Sequence, residues 1–270
     1  RIFFNPSQKE FRLNSFRTKA HLLENFSVDQ FIILPFDKSL SLMQAEEFVA
    51  DILIGQIAAV HVIVGYDYCF GAGRKGNVEL LRKLSKEMGF GLTVVDKVME
   101  NDHLYSSSNI RDALEEGEVR KAADQLGHWW HVEGHVRKGD QRGRTIDFPT
   151  ANLFLDGYIE PKYGVYAVRV IIESGPAKGV WDAIANVGRR PTFDKKDVLL
   201  ECHIFDFNHD IYENVIKVEF VDFIRPELKF DGLEQLRIQI EKDCDRARAY
   251  LNKKENQQSF IPSPNIEDYL

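Results

Sequence analysis

The first half of the chain alternates apolar runs of strand length with amphipathic segments of helical period. Continuous apolar runs at 30–36, 61–65 and 91–96 are typical of buried strands. Between them, segments 45–57 and 77–90 repeat apolar residues every three or four positions, as a helix with one buried face does. This alternation predicts a doubly wound parallel sheet of the Rossmann-like kind.

After Gly127 the pattern changes to short strands separated by Gly, Pro, Asn and Asp, which predicts an antiparallel barrel or sandwich. The last regular segment, 231–251, carries a single apolar stripe and predicts a C-terminal helix. Asp231 and Glu234 fit a variant of the capping box at its start. We therefore expect a first domain over 1–126, a second domain over 127–252 and a polar tail over 253–270.

Composition limits the classes of function. The chain has 270 residues, of which 44% are hydrophobic, enough for two domains with buried cores. Its formal net charge of −7 gives no support for nucleic-acid binding. The three cysteines are scattered, which fits a reducing cytosol and argues against a disulfide framework. Because neither a long apolar run nor a signal peptide occurs, we expect a cytoplasmic protein that binds no membrane. Weak self-association stays open, because the sequence does not give the oligomeric state.

Two segments indicate cofactor or metal sites that ordinary structure also explains. GAGRKG at 71–76 fits the G-x-G-x-x-G fingerprint of NAD-binding loops, with Asp96 at the end of a later strand. The alternative is a plain glycine-rich loop, because an extra segment separates these glycines from the preceding strand. His128, His131 and His135 invite a zinc hypothesis, but no carboxylate or cysteine completes a recognisable ligand set.

A serine-rich segment begins one of the predicted helices. Ser107 and Ser108 lie at the helix start, and Arg111 lies in the first turn. Helix N-termini offer free N–H groups and the positive end of the helix dipole, which makes this a candidate phosphate site. An ordinary serine N-cap explains the same residues.

A basic glycine loop and an unusual strand follow. Gly134, Gly139 and Gly143 lie in a loop that ends at Arg144, and glycines let backbone N–H groups approach a phosphate closely. A flexible hairpin is the alternative.

The segment GRTIDFPTANL, at 143–153, has strand residues interrupted by Pro149, which cannot donate to a ladder. Thr150 and Asn152 then project to one face of an extended segment, because side chains alternate along a strand. Glu201 lies in an apolar strand, where it is either on a hydrated outer face or a half-buried base.

Together these residues resemble the bacterial bifunctional riboflavin kinase/FMN adenylyltransferase (FAD synthetase) family over nearly the whole chain. In the second half the resemblance rests on G-x-V-x-x-G-x-x-x-G-R-x-x-x-F-P-T-A-N at 134–152, YGVYA at 163–167, ANVGRRPTF at 185–193, E-x-H-x-x-D-F at 201–207 and RPELKFDGLEQL at 225–236. In the first half it rests on LPFD at 34–37, EEFV at 46–49, G-x-D-x-x-F-G-x-x-x-x-G at 65–76 and S-S-x-x-I-R at 106–111. The match at 65–76 assigns GAGRKG to this family rather than to NAD binding.

The resemblance implies a Rossmann-like nucleotidyltransferase domain followed by a Greek-key barrel with a C-terminal helix. It implies that the barrel transfers the γ-phosphoryl group of ATP to riboflavin and that the first domain adenylylates FMN to FAD. It assigns Mg²⁺ to Thr150 and Asn152 and the general base to Glu201. It assigns the phosphates of ATP to Gly134, Gly139, Gly143, Arg144, Ser107, Ser108 and Arg111, and the flavin ring to Arg225, Phe230 and Leu233.

Two departures from the family pattern concern the adenylyltransferase half. The motif G-x-F-D-G-x-H-x-G-H is absent from this sequence, and FNPSQ at 4–8 stands where the family has F-x-P-H-P. We therefore expect that residues are missing upstream of Arg1, since a doubly wound domain without its first strand should fold poorly. The alternatives are a flavin-binding regulatory protein with a degenerate adenylyltransferase half, and an NAD-dependent dehydrogenase built on GAGRKG.

Overall fold

A computed structural model describes residues 10–100, 103–138, 148–189 and 198–257. The described residues form two compact units. The first unit contains the residues between 32 and 105, and the second contains residues 10–31 together with those from 106 onward.

The helices and strands follow the chain in this order. The helices are α1 (Phe16–Asn25), α2 (Lys38–Leu42), α3 (Ala45–Glu47), α4 (Val78–Met88), α5 (Ser107–Glu116), α6 (Val119–Leu126), α7 (Leu233–Leu251) and α8 (Lys254–Gln257), with a π-helix at Phe48–Gln56 and a 3₁₀ turn at Ala72–Arg74. The strands are β1 (His61–Gly65), β2 (Gly91–Val95), β3 (Met99–Glu100), β4 (His103–Leu104), β5 (His131–His135), β6 (Ala151–Phe154), β7 (Gly164–Ile172), β8 (Gly179–Arg189), β9 (Val198–Ile204) and β10 (Val215–Pro226).

The first unit is built on a parallel pair of strands. β1 pairs with β2 in register, and α4 connects them in the sequence. The α4 helix begins where the Asn77 side chain accepts a hydrogen bond from the Leu80 backbone N–H at 2.9 Å, and it buries Leu81 and Leu84. Parallel strands with helical connections confirm the predicted α/β class of this half.

One predicted strand of this unit is wrong. Residues 30–36 were expected to form a buried strand, but they join no ladder in the described part of the chain. Ile33 is 51% exposed, and its neighbours are exposed as well. The physical reason is that an apolar strand is buried only when strands flank it and helices cover both faces, whereas the described parallel sheet has two strands.

The second unit is a nearly closed antiparallel barrel, as predicted. Its six strands lie in the order β5-β10-β7-β8-β9-β6. The two end strands approach each other where the Arg137 backbone N–H donates to the Asn152 carbonyl at 2.9 Å. Because the neighbours in this sheet are not consecutive in sequence, the chain must cross the barrel ends, as in a Greek key.

Aromatic residues fill the barrel interior. Trp130 and Phe220 have ring centroids 4.8 Å apart, and Tyr166 meets Phe220 edge-on at 5.0 Å. All three side chains are fully buried. Trp130 also donates its ring N–H to the Leu13 carbonyl at 2.8 Å, so the polar atom of this core residue has a partner.

The C-terminal helix covers part of the outer barrel face. Cys244, Ala247 and Leu251 of α7 are buried in one cluster with Val165 and Ile184 of the barrel. This confirms the predicted apolar stripe over its second half. The predicted capping box is wrong, because α7 begins after Gly232 and the Glu234 carboxylate instead accepts hydrogen bonds from Arg237.

The predicted domain boundary follows sequence pattern, and the compact units divide elsewhere. The helices α5 and α6, together with residues 10–31, belong to the unit that contains the barrel. The predicted domain boundary between residues 126 and 127 therefore stays a prediction, because the compact units do not test it.

Candidate active site

A row of polar residues crosses the outer face of the barrel. Asn152 on β6 lies directly opposite Glu201 on β9, and Glu201 lies directly opposite Asn186 on β8. Opposite residues in an antiparallel ladder project to the same face. Their sequence neighbours Leu153 and Leu200 point into the barrel core. The barrel therefore places two amides and one carboxylate side by side.

The same row continues to β10. Asn186 lies opposite Val165 on β7, and Val165 lies opposite Arg225 on β10. The row thus contains Asn152 of the predicted metal residues, the predicted base Glu201 and Arg225 of the predicted flavin residues, although the three come from segments far apart in sequence. No periodicity within one segment could have joined them.

Thr150 lies at the entrance to β6, which begins one residue later at Ala151. As predicted for the segment around Pro149, this part of the chain lies outside the sheet. Thr150 lines a cavity of about 300 Å³ together with Pro149 and the loop 207–212. The cavity lies at the end of the barrel where β6 starts.

Asn152 has a buried oxygen that accepts no hydrogen bond from a described residue. The residue is 5% exposed, and its amide nitrogen donates to the Thr150 carbonyl at 3.4 Å. The Oδ1 atom is fully buried, and no donor for it occurs in the described part of the chain. An unsatisfied buried carbonyl oxygen is costly, so a donor or a cation at this atom would stabilise the site.

The sequence motifs gave His203 no role. His203 lies two residues after Glu201 on the same face of β9. Its Nδ1 atom is 2.9 Å from the Pro149 carbonyl, and its ring meets Phe148 edge-on at 5.1 Å. This contact connects β9 to the residue that precedes Thr150.

The segment predicted to bind the flavin is held by a buried ion pair. Arg225 donates from Nε and Nη2 to one carboxylate oxygen of Asp243 at 2.8 and 2.7 Å, and Gln239 donates to the other at 2.9 Å. Asp243 is 1% exposed. The Arg225 guanidinium also lies 5.9 Å from the Phe230 ring centre. Sequence reasoning missed Asp243, although its position beside Cys244 on the apolar stripe of α7 was a signal.

Leu233 is placed differently from the other predicted flavin residues. It begins α7 and is 66% exposed. Leu228, in the connection from β10, is exposed as well. An apolar surface therefore borders the Arg225 end of the row.

The predicted phosphate residues of the serine segment lie at the start of α5. Ser106, rather than Ser107 or Ser108, caps this helix by accepting from the Asn109 backbone N–H at 3.1 Å. Arg111 donates from Nε to the Phe11 carbonyl at 2.7 Å and stacks over the Phe11 ring. None of the three predicted residues lines the cavity beside Thr150.

The glycine loop is described only in part. Gly134 belongs to β5, where an added Cβ would meet Leu153 at an ordinary 3.4 Å. Gly139, Gly143 and Arg144 lie outside the described residues, as do FNPSQ at 4–8 and the tail from 258.

The glycines of GAGRKG have a packing explanation. Gly71 has φ +70°, and a Cβ there would lie 2.6 Å from the Ala45 Cα. A Cβ on Gly76 would lie 2.8 Å from the Ala45 Cβ. The loop also fails to open a helix, because α4 starts at Val78 after its own cap. These glycines allow a turn to pack against α3.

The histidines of the segment 128–135 do not form a metal site. His128 and His131 have ring centroids 5.5 Å apart, while His135 lies within hydrogen-bonding distance of the Glu213 carbonyl. Within the described ranges, no group of three or more His, Cys, Asp and Glu residues is arranged to hold a metal ion. Burial is the main reason that the pKa of His131 falls from 6.5 to about 3.

Comparisons with known proteins assign a family model to each half of the chain. Residues 126–251 match the family model described as riboflavin kinase, and residues 1–109 match the one described as FAD synthetase. The bifunctional riboflavin kinase/FMN adenylyltransferase of Haemophilus influenzae is 36% identical over 93% of this chain and 81% of that protein. The protein of the same name from Escherichia coli is 37% identical over 88% of this chain and 75% of that protein.

A solved structure shares the fold. A crystal structure described as a macrolide-efflux protein from Streptococcus pneumoniae matches with a TM-score of 0.75 and 33% identity, over 87% of this chain and 75% of that chain. In the described part of the chain, we find no helix with the length and apolar character needed to cross a membrane.

The fold and the two family models define a two-part chain with a β-barrel kinase half. The chain belongs to the bifunctional riboflavin kinase/FMN adenylyltransferase family, because relatives more than 30% identical cover most of its length and theirs.

The buried ion pair yields a stability prediction. We expect Asp243→Asn to destabilise the barrel unit by about 3 kcal/mol, because it leaves the Arg225 charge buried and poorly compensated. The matched control is Asp206→Asn, which removes the exposed pair with Arg248 and should cost less than about 1 kcal/mol. Urea unfolding followed by tryptophan fluorescence measures both, because all three tryptophans lie in the barrel unit. Equal effects of the two variants would contradict the prediction.

The buried histidine yields a pH prediction. Since the pKa of His131 is about 3 in the folded chain and 6.5 ordinarily, the unfolded chain binds more protons between these values. Stability should therefore rise with pH across this window, by at most about 1.4 kcal/mol per pH unit from this residue. His131→Gln should reduce the slope of unfolding free energy between about pH 5 and about pH 7.

The control for this measurement is His209→Gln, at an exposed histidine of the same unit. It should keep the wild-type slope, while an unchanged slope in His131→Gln would show that burial of His131 does not set the pH dependence.

Proposed function

We propose that the barrel transfers the γ-phosphoryl group of ATP to the 5′-hydroxyl of riboflavin at the row of Asn152, Glu201 and Asn186. We further propose that the N-terminal half adenylylates the FMN product to FAD. The observation that carries the first proposal is the pairing of Asn152 with Glu201 on one barrel face beside Thr150. The names of the relatives and both family models support the two activities.

The residues at the start of β6 suit a hard cation. Mg²⁺ prefers oxygen ligands and keeps several waters, so few protein atoms are needed. The buried Oδ1 of Asn152, which lacks a donor among the described residues, is such an atom, and the Thr150 hydroxyl is the second. When bound, Mg²⁺ would neutralise charge on the phosphates of ATP. Thr150 and Asn152 would hold it by neutral oxygens, leaving the negative charge to the nucleotide.

Glu201 is the proposed general base. It is half-buried, and it lies between Asn152 and Asn186 in the row. A carboxylate beside the metal-binding amide can accept the proton of the riboflavin hydroxyl as that oxygen attacks the γ-phosphorus. The proton ends on Glu201, the phosphoryl group on the flavin, and ADP leaves. The rigid β9 strand fixes the carboxylate, which matters because phosphoryl transfer depends mainly on positioning.

We place the nucleotide in the cavity beside Thr150. Its volume of about 300 Å³ lies at the lower limit for small-molecule sites, and the loop 207–212 forms one wall. Gly134 lies in β5, and the chain that follows this strand pairs with Asn152 through Arg137. The glycine loop that begins there is proposed to cover the phosphates. The assignments of Gly139, Gly143 and Arg144 to that loop remain predictions.

We place the flavin ring at the other end of the row. Arg225 is fixed by Asp243 and lies over Phe230, so its planar guanidinium is available as part of a stacking wall. The exposed side chains of Leu228 and Leu233 supply apolar surface that an isoalloxazine ring would cover.

The phosphate role of the N-terminal half rests on α5. Ser107 and Ser108 are exposed in its first turn, where helix N–H groups can bind an anion. Arg111 is already engaged with Phe11, so in this role it would orient the segment as well as supply charge. We keep these three residues as the proposed phosphate contacts of adenylyl transfer.

The alternative functions lack support. The dehydrogenase hypothesis depended on GAGRKG, whose glycines are explained by close packing against Ala45. The hypothesis of a regulatory protein depended on a degenerate N-terminal half, yet residues 1–109 match the FAD synthetase model.

The test of the kinase proposal is Glu201→Gln. We expect FMN formation from riboflavin and Mg-ATP to fall by at least about 100-fold, because the base is removed. Riboflavin affinity, measured by flavin fluorescence quenching, should change by no more than about threefold, because the amide keeps the size of the carboxylate. Chromatography of FMN and FAD gives the products of both activities in one assay.

The control is Glu173→Gln, an exposed glutamate beyond the end of β7, which should leave turnover unchanged. Near-normal turnover in Glu201→Gln would exclude Glu201 as the base. Absence of FMN from the wild-type reaction would contradict the proposed kinase function itself.

A further inference from the structure

A histidine side chain holds the backbone immediately before the proposed cation ligand. His203 Nδ1 lies 2.9 Å from the Pro149 carbonyl, and Pro149 directly precedes Thr150. A carbonyl only accepts, so His203 must carry its hydrogen on Nδ1 in this contact. Burial lowers the pKa of His203, which favours the neutral ring.

The ring is fixed from both sides. It meets Phe148 edge-on at 5.1 Å and Phe205 edge-on at 6.0 Å. Phe205 belongs to the buried cluster under α7, and Phe148 packs against that cluster. The direction of the Nδ1–H group is therefore set by the packing of the outer barrel face.

Thr150 lies outside the strand ladders of the described residues. It lies before the first residue of β6, so the β6 ladder does not hold its peptide group. Pro149 has no N–H, which leaves its carbonyl as the hydrogen-bonding group of that residue. The Thr150 carbonyl in turn accepts from the Asn152 side chain at 3.4 Å. His203 thus holds the Pro149 carbonyl, and the Asn152 side chain holds the Thr150 carbonyl. These two carbonyls flank the amide nitrogen and the α-carbon of Thr150.

We propose that His203 is a positioning residue for phosphoryl transfer, whose hydrogen bond to Pro149 orients Thr150 toward the cation-bound nucleotide. This proposal rests on the proposed kinase function. His203 touches neither the substrate nor the metal in this account, and it acts through the peptide that carries Thr150. Its position two residues beyond Glu201 couples the metal side of the site to the strand that carries the base.

Three variants separate the hydrogen bond from the packing. His203→Phe keeps an aromatic ring between Phe148 and Phe205 but has no donor. His203→Asn loses the ring but can present an N–H where Nδ1 stood, while His203→Gln presents its N–H where Nε2 stood. Unfolding followed by tryptophan fluorescence reports whether each barrel remains folded.

The first readout is nucleotide binding without turnover. The affinity for ADP is measured by calorimetry with Mg²⁺ and with a chelator, in wild type and in Thr150→Ala. Thr150→Ala identifies the Mg²⁺-dependent part of binding that belongs to the barrel. We expect the Mg²⁺-dependent affinity for ADP to fall about fivefold in His203→Phe, which is the effect of losing one hydrogen bond. His203→Asn should retain more of this affinity than His203→Gln.

The second readout is a double-mutant cycle. If His203 acts through Thr150, the variant with both Thr150→Ala and His203→Phe should lose no more Mg²⁺-dependent affinity than Thr150→Ala alone. In FMN formation, His203→Phe should raise KM for Mg-ATP while KM for riboflavin stays within about twofold. A purely structural role would change both KM values and the chelator-insensitive binding together.

The outcomes separate the two proposals. The positioning role is overturned if His203→Phe binds ADP as tightly as the wild type, or if the losses of the two single variants add in the double variant. The kinase function is still upheld in that case if the wild-type protein forms FMN. If Thr150→Ala binds Mg-ADP as wild type does, both the cation assignment and the positioning role fail. If wild type forms no FMN, the kinase proposal fails, and the ADP comparison still decides whether His203 acts through Thr150.

Discussion

The register of β6 against β9 is the constraint on which the site depends. With Asn152 opposite Glu201, the polar side chains of both strands face outward and Leu153 and Leu200 face the core. A shift of β9 by one residue would turn each of its side chains to the opposite face, placing the Glu201 carboxylate in an aromatic and aliphatic interior. Burial of an unpaired charge is costly enough to exclude that register. The same hydrophobic pattern that folds the barrel therefore also assembles the site.

The C-terminal helix extends this constraint across the barrel. α7 packs its buried stripe on the outer face, and the Arg225–Asp243 pair locks the helix to β10 at the far end of the polar row. A buried pair with both ions hydrogen-bonded fixes direction more than it adds stability. The proposed site is consequently built on strands at the end that carries the proposed metal and base residues, and on the connection from β10 to α7 at the other end.

How much of the structure the sequence could predict depends on how far apart along the chain the interacting residues lie. The apolar stripe of α7 is a local consequence of helix period, and the prediction that Thr150 and Asn152 share a face uses strand period in the same way. The partnership of Asn152 with Glu201 joins strands far apart in the chain, so only the family resemblance indicated it. Asp243 and His203 make tertiary contacts, with Arg225 and with the Pro149 carbonyl. The apolar stripe of α7 indicates that Asp243 is buried, but no spacing in the sequence identifies either partner. Residues 30–36 were misjudged because burial of a strand depends on neighbours that local sequence does not specify.

The central claim is that Thr150 and Asn152 hold the cation at the start of β6, across from Glu201. Crystals of the protein with ADP and riboflavin, in which Mn²⁺ replaces Mg²⁺, test this by anomalous scattering. The account predicts a peak within about 2.5 Å of both the Thr150 hydroxyl and Asn152 Oδ1, given the usual lengths of metal–oxygen bonds. A fully occupied peak in the barrel that contacts neither oxygen would contradict it.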